Sequence, residues 1–300
     1  MPRPWKFVLG SLALAACLFS GQLGNAANPR KVTSLSYNPS GVTQFSQLEA
    51  GISEARIRAD LQRLKPHTDA IRTYNVEQGL DRVPAIAQEF GLKVSLGIWL
   101  GKDRAKNAIQ IAHALKLLSS RPAAVTRIYV GNEPILRGEL TPAQVIAYIA
   151  EVRKGLPKDL KIEITTAEPW HRWLAHPELG AAVDVIGAHI FPSHDGVPID
   201  YALTDFEERY AALTKAFPGK RILISETGWP LAGATNQAAV ASADNAAKFL
   251  RAFLKVAEAR HYDYSLVEAY DQPWKASDEN GAMWGLFTDD GKPKFEVFGP

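Results

Sequence analysis

Eight short apolar runs rich in β-branched residues are spread along the chain, and segments of helical periodicity fall between most of them. The runs begin at 32 (VTSLSY), 69 (DAIRTYN), 93 (KVSLGIWL), 125 (VTRIYVG), 161 (KIEITTAE), 183 (VDVIGAHIF), 221 (RILISE) and 263 (DYSLVEAY). Helical spacing marks the segments starting at 53, 104, 141, 205 and 236. Thr141 followed by Pro142 reads as an N-cap with proline at the first helical position, and Gly219 closes the helix before the seventh run. Strict alternation of strand and helix implies parallel strands joined by right-handed crossovers. Eight units within 300 residues fit an α/β fold of the single-domain (β/α)8 TIM barrel type. An open doubly wound sheet fits less well, since no glycine-rich dinucleotide loop follows the first strand. The last unit shows no clear helix: ASDEN at 276 to 280 and DDGK at 289 to 292 read as solvated loops, with a calcium site as the remote alternative.

Composition narrows the partners. A net charge of +2 with scattered basic residues gives no electrostatic stripe for nucleic acid. At the N-terminus, Arg3 and Lys6 precede an apolar run from Phe7 to Phe19 and small residues near Ala26. That order reads as a secretory signal over residues 1 to 26, too short for a comfortable membrane span, with a retained anchor as the alternative. LAAC at 14 to 17 also resembles a lipoprotein box ending before Cys17, so a membrane attachment is expected only if Cys17 is lipidated. The expected location is exported, periplasmic or secreted. Cys17 is the sole cysteine, so the mature chain, residues 27 to 300, must be held by its core without a disulfide.

In a parallel barrel the reactive residues stand at the C-terminal ends of the strands. Reading those ends in order gives Tyr37 and Asn38, then Arg72, Tyr74 and Asn75, Trp99, Asn132 and Glu133, and Glu168 with Trp170. The later strands add His189, Glu226 with Trp229, and finally Glu268, Tyr270, Asp271, Trp274 and Lys275. Carboxylates, amides and indoles suit a sugar, which offers hydroxyls for hydrogen bonds and flat apolar faces for stacking. Glu133 and Glu226 end the fourth and seventh strands, three steps apart around the ring, and so face each other across the barrel mouth. Cleavage of a glycosidic bond uses two carboxyls, roughly 5–5.5 Å apart in retaining enzymes and wider in inverting ones. Either glutamate alone could equally serve a salt bridge or a metal.

VGNEP and ISETGWP together resemble the retaining glycosidases of the (β/α)8 clan with glutamates on strands four and seven. More narrowly, SYNP, IRTYN, LGIW, VGNEP, ISETGWP and EAYDQPWK with WGLF stand in the order seen in glycoside hydrolase family 17. That family comprises β-1,3-glucanases and related bacterial transglycosylases, and the ordered motifs cover nearly all of the mature chain. The resemblance implies that Glu133 is the general acid/base, Glu226 the nucleophile and Asn132 an orienter of the sugar. It implies that Arg72 supports the nucleophile, since an adjacent cation favours the ionised carboxylate. Tyr37, Tyr74, His189, Glu268 and Lys275 would line the site, and Trp99, Trp229 and Trp274 would offer stacking surfaces. No cofactor and no metal is implied; the partner is a β-glucan oligo- or polysaccharide, and the chain is expected to act as a monomer. Two positions depart from the family pattern. Gln272 stands where the family usually carries glutamate, and Ser193 with His194 where bacterial relatives often have tyrosine and tryptophan.

Other chemistries lack their residues. There is no HExxH, no G-x-S-x-G elbow, and no cysteine outside the export segment. The expected activity is retaining hydrolysis of β-1,3-glucosidic linkages. A β-1,3-glucanosyltransferase using the same residues is the nearest alternative, and a non-catalytic glucan-binding protein is the alternative from another class.

Overall fold

The computed structural model describes residues 31–275 and 281–294. The export segment with Cys17 and the ASDEN loop lie outside the described residues. Eight strands form a closed parallel barrel in sequence order. They are β1 (Val32–Ser36), β2 (Thr68–Arg72), β3 (Lys93–Ile98), β4 (Val125–Asn132), β5 (Glu163–Pro169), β6 (Ile186–His189), β7 (Ile222–Thr227) and β8 (Asp263–Leu266). Leu35 paired with Leu266 closes the ring between β1 and β8. All eight apolar runs therefore became strands. β7 shows why such runs read so clearly: every one of its residues is buried, because helices cover the outside and side chains fill the lumen.

The helices are α1 (Phe45–Glu49), α2 (Glu54–Leu64), α3 (Val83–Glu89), α4 (Arg104–Ser119), α5 (Pro142–Gly155), α6 (Trp170–Ala175), α7 (Leu179–Ala182), α8 (Ala202–Ala216) and α9 (Ala243–Arg260). α5 starts as the sequence demands: the Thr141 hydroxyl accepts from the Gln144 N–H while the Gln144 side chain accepts from Thr141, a reciprocal cap. Val145, Ile149 and Val152 then place one apolar stripe against the sheet. α9 departs from expectation. Its periodicity begins at 236, but the helix begins only at Ala243, after Ser242 caps Asn245. Asn236 instead donates to the carbonyls of Ser193 (3.0 Å) and His194 (2.8 Å), and 236–239 close into a tight turn with Asn236 and Ala239 bonded to each other, so tertiary hydrogen bonds hold this stretch out of the helix against the loop after β6. α1, α3, α6 and α7 are too short to register as a period.

The main core lies between sheet and helices, with Phe206, Phe249 and Phe253 among its largest members. A second, small apolar cluster joins Tyr129, Ala167, Val185 and Leu223 inside the strands. Below it, Arg127 bonds Glu163 (2.9 Å) and Asp263 (2.6 Å), and Arg221 pairs with the same two acids, closing the N-terminal end of the barrel. The polar residues of the other end are left to the mouth. Among the described residues, no helix is long and apolar enough to cross a membrane.

Candidate active site

Two local irregularities aim the glutamates. Between Tyr129 and Asn132 the β4–β5 register slips, Gly131 takes φ +91° and Glu133 itself takes φ +57°. Few side chains tolerate that left-handed region, and glutamate there is held by its N–H donating to the Ala167 carbonyl at 2.8 Å. The register of β7 slips against β6 beside His189 and against β8 between Ile224 and Thr227. Bulges of this kind at a barrel rim redirect a side chain without ending the strand. Glu168, fully buried at the end of β5, accepts from the N–H groups of Ile135 (2.7 Å) and Leu136 (3.2 Å). It thereby braces the turn that follows Glu133. Burial pushes its carboxyl up to about 7, against the pull of those two donors.

Glu226 is held from β2. The buried Arg72 guanidinium donates through Nη1 to Glu226 Oε1 and to the Ser225 carbonyl (3.0 Å), and through Nη2 to Asn132 Oδ1 (2.6 Å). It is sandwiched between Tyr129 (4.3 Å) and Tyr74 (4.9 Å). The Tyr74 hydroxyl donates to the same Glu226 oxygen at 2.9 Å. Burial first, and the Glu226 charge second, push that phenol far above its ordinary range, so it stays a donor. Glu133 lies 2.7 Å from His189 Nδ1, and His189 Nε2 is 3.6 Å from Glu226 Oε1. A single buried imidazole thus spans the two carboxylates. Burial pushes the Glu133 carboxyl up, but His189, His194 and Arg137 outweigh it and leave it below the ordinary glutamate value. On the β8 side, Glu268 is buried and accepts from Asn38 (3.0 Å) and Lys275 (3.1 and 3.3 Å).

The aromatics divide. Trp99 is exposed, with one face covered by Arg137 at 4.4 Å. Trp274 is half-buried against Phe45 (5.7 Å) and donates to Gln272 Oε1 at 2.6 Å. Trp229 corrects the expectation of a stacking surface. It is 1% exposed, packs on Phe249 at 5.8 Å and donates to the Val240 carbonyl at 3.0 Å. The chain turns after Thr227, so the indole falls under α9 rather than over the mouth. Tyr37 corrects another: its hydroxyl is committed to buried Asp60 at 3.0 Å, between β1 and α2, and the side chain is fully buried. Tyr270 likewise reaches the Asp60 carbonyl at 3.1 Å.

Both departures from the motif pattern have structural roles. Gln272 is fully buried; its amide donates to the Tyr270 carbonyl (3.1 Å) and toward the Asn38 carbonyl (3.5 Å), bonds that a carboxylate could not make. His194 is exposed and lies on Phe191 (4.6 Å, 35°), with Trp284 edge-on to both rings at 5.4 Å. Phe191 and Trp284 are buried, so His194 is the exposed ring of the three, and the missing tyrosine and tryptophan are not replaced by a comparable aromatic surface there. Sequence reasoning missed Arg137, whose Nη1 donates to the Asn132 carbonyl and Nη2 to that of Leu100 at 2.7 Å. It named Asn38 at the end of β1 without giving it a role, and it left Phe191 and Trp284 out. Only the recurrence of polar and aromatic residues just past strand ends could have pointed to them.

A (β/α)8 barrel that delivers one glutamate from β4 and another from β7 into a mouth of amides and aromatics has the arrangement that glycoside hydrolases use. The family model of the BtgE/BtgC glycoside hydrolase domain matches residues 34–285, and the chain belongs to that family. A glucan 1,3-β-glucosidase of Arthroderma benhamiae is 30% identical over 264 residues, 81% of this chain and 84% of that relative. A probable glucan endo-1,3-β-glucosidase of Aspergillus fumigatus is 28% identical over 297 residues, 88% of this chain, which spans only 43% of that relative. Among solved structures, an active-site mutant of the Rhizomucor miehei β-1,3-glucanosyltransferase, in complex with laminaritriose, aligns with a TM-score of 0.78 at 26% identity, covering 88% of this chain and 96% of that one. The same transferase, crystallised as a member of glycoside hydrolase family 17, aligns equally well, in agreement with the resemblance read from the ordered motifs.

Proposed function

We propose that the chain cleaves β-1,3-glucosidic linkages of β-glucans by double displacement, as an exported monomer that needs no cofactor. The observation that carries this reading is the unlike setting of the two carboxylates. Glu226 is gripped by Arg72 and Tyr74, which both donate to one of its oxygens and so orient the carboxyl group. Glu133 is tied instead to a titratable group, His189. Glu226 attacks the anomeric carbon as Glu133 protonates the departing oxygen, giving a glycosyl ester on Glu226. A hydroxyl then attacks that ester while Glu133 takes its proton. Asn132, Glu268 and Lys275 would bind the sugar hydroxyls, with Trp99 and Trp274 against its apolar faces. Support for the substrate comes from the relatives' names, glucan 1,3-β-glucosidase and β-1,3-glucanosyltransferase.

The second hydroxyl can be water or another sugar. A sugar acceptor makes transfer the competing outcome, and the β-1,3-glucanosyltransferase among the similar solved structures supports that reading. Incubation of residues 27 to 300 with reducing-end-labelled laminarioligosaccharides, followed by mass spectrometry, tests both. Shorter products alone mean hydrolysis, and longer products mean transfer. Binding without any product, equal to a Glu226→Gln control, refutes the enzymatic reading. The export proposal rests on the order of charged, apolar and small residues before position 27, and processing of the full-length chain to a shorter exported form tests it.

A further inference from the structure

The acid/base of such a reaction must hold a proton in one half-reaction and lack it in the next, yet Glu133 is set beside a group that draws its proton away. His189 is 1% exposed, and its Nε2 has no hydrogen-bond partner among the described residues. That nitrogen points toward Glu226 at 3.6 Å, and an anion there selects the tautomer with hydrogen on Nε2. Exchange is then confined to Nδ1, which faces Glu133 Oε1 at 2.7 Å. Charged and titratable groups face the pair from several elements, with Glu268 and its partner Lys275 on the far side of Glu226. Glu133 stands on β4, Glu226 on β7 with Arg72 and Tyr74 behind it on the β2 side, Glu168 on β5, and His194 in the following loop, with Arg137 acting on Glu133.

We propose, resting on the glycosidase reading above, that Glu133 and His189 carry the catalytic proton as one unit, with His189 as the positioning residue that stores it. At rest one proton lies along the Nδ1 to Oε1 line. As Glu226 bonds to the anomeric carbon and the glycosidic bond breaks, that proton passes through Glu133 to the departing oxygen. The unit is left as a carboxylate and a neutral imidazole. Esterified Glu226 has lost its charge, so the pull of that side on the imidazole is gone, and the Glu133 carboxylate with the neutral imidazole is poised as a base. The attacking hydroxyl returns one proton to the unit as its oxygen bonds to the anomeric carbon and the ester breaks.

His189→Asn separates storage from hydrogen bonding, because an asparagine amide can donate where Nδ1 does but cannot titrate. The substrates are laminaritetraose, whose leaving group needs a proton, and 2,4-dinitrophenyl β-laminaribioside, whose leaving group does not. The ratio of kcat/KM on the first to that on the second should fall about 100-fold in the variant, the scale of lost general-acid assistance. The alkaline limb of the laminaritetraose profile should also move to lower pH. An unchanged ratio, whether both activities persist or both fall together, overturns the proposal. In the wild-type protein, a far-downfield imidazole N–H resonance assigned to His189 Nδ1 is expected, and its absence overturns the proposal however the variant folds. A wild-type protein inactive on both substrates instead removes the glycosidase reading, so the two failures are distinguishable.

Discussion

Replacing Arg72 by methionine keeps the length and apolar stem of the side chain and removes everything else. The guanidinium is 1% exposed and supplies hydrogen bonds to Glu226, to the Ser225 carbonyl and to Asn132. Its loss strands the Glu226 carboxylate, itself only 8% exposed, with Tyr74 as its remaining short donor. Breaking a buried ion pair from one side costs about 3–5 kcal/mol, most of it the penalty of the unpaired charge. We therefore expect Arg72→Met to lose about 4 kcal/mol in urea unfolding followed by tryptophan fluorescence. If the stranded charge is the cause, adding Glu226→Gln should recover part of the loss, and the double variant should be about 2 kcal/mol more stable than the sum of the single costs requires. Additivity within about 0.5 kcal/mol would refute the argument and move the cost to lost packing between Tyr74 and Tyr129.

Three further outcomes are expected. Burial raises Glu168 from the ordinary glutamate value of 4.5 to about 7, so folding is favoured by its protonation: its contribution is fully present below pH 4.5 and is lost as pH rises through 7. The loss is on the order of 3 kcal/mol, and pH-dependent urea titrations should show a decline across that window which Glu168→Gln flattens. Trp229→Ala should cost about 3 kcal/mol by thermal unfolding with KM for laminarioligosaccharides unchanged, whereas Trp99→Ala should raise KM several-fold with stability within about 0.5 kcal/mol of the parent. Tyr37→Phe should lose about 1–2 kcal/mol, because it leaves buried Asp60 with one donor fewer, and should leave kcat unaltered; a KM effect would return Tyr37 to the sugar site.

The barrel was legible because its signals are local. Most strand residues are buried, so the strands read as apolar, β-branched runs, as β7 does, and α5 carries its own cap at Thr141. The two glutamates were legible for the same reason: each interrupts a buried run at its end, where a parallel barrel exposes only its mouth. The tertiary structure alone decided which rim residues turn inward. A bulge or a turn of one residue sends a side chain to the other face, so Trp229 falls under α9 while Trp99 stays at the mouth. Tyr37, one residue past β1, is taken by Asp60 from a helix more than twenty residues on, and the start of α9 is pulled out of its own period by Asn236. The contact of one imidazole with both carboxylates joins β4, β6 and β7, which lie far apart in sequence, and no local pattern encodes a distance across a closed ring.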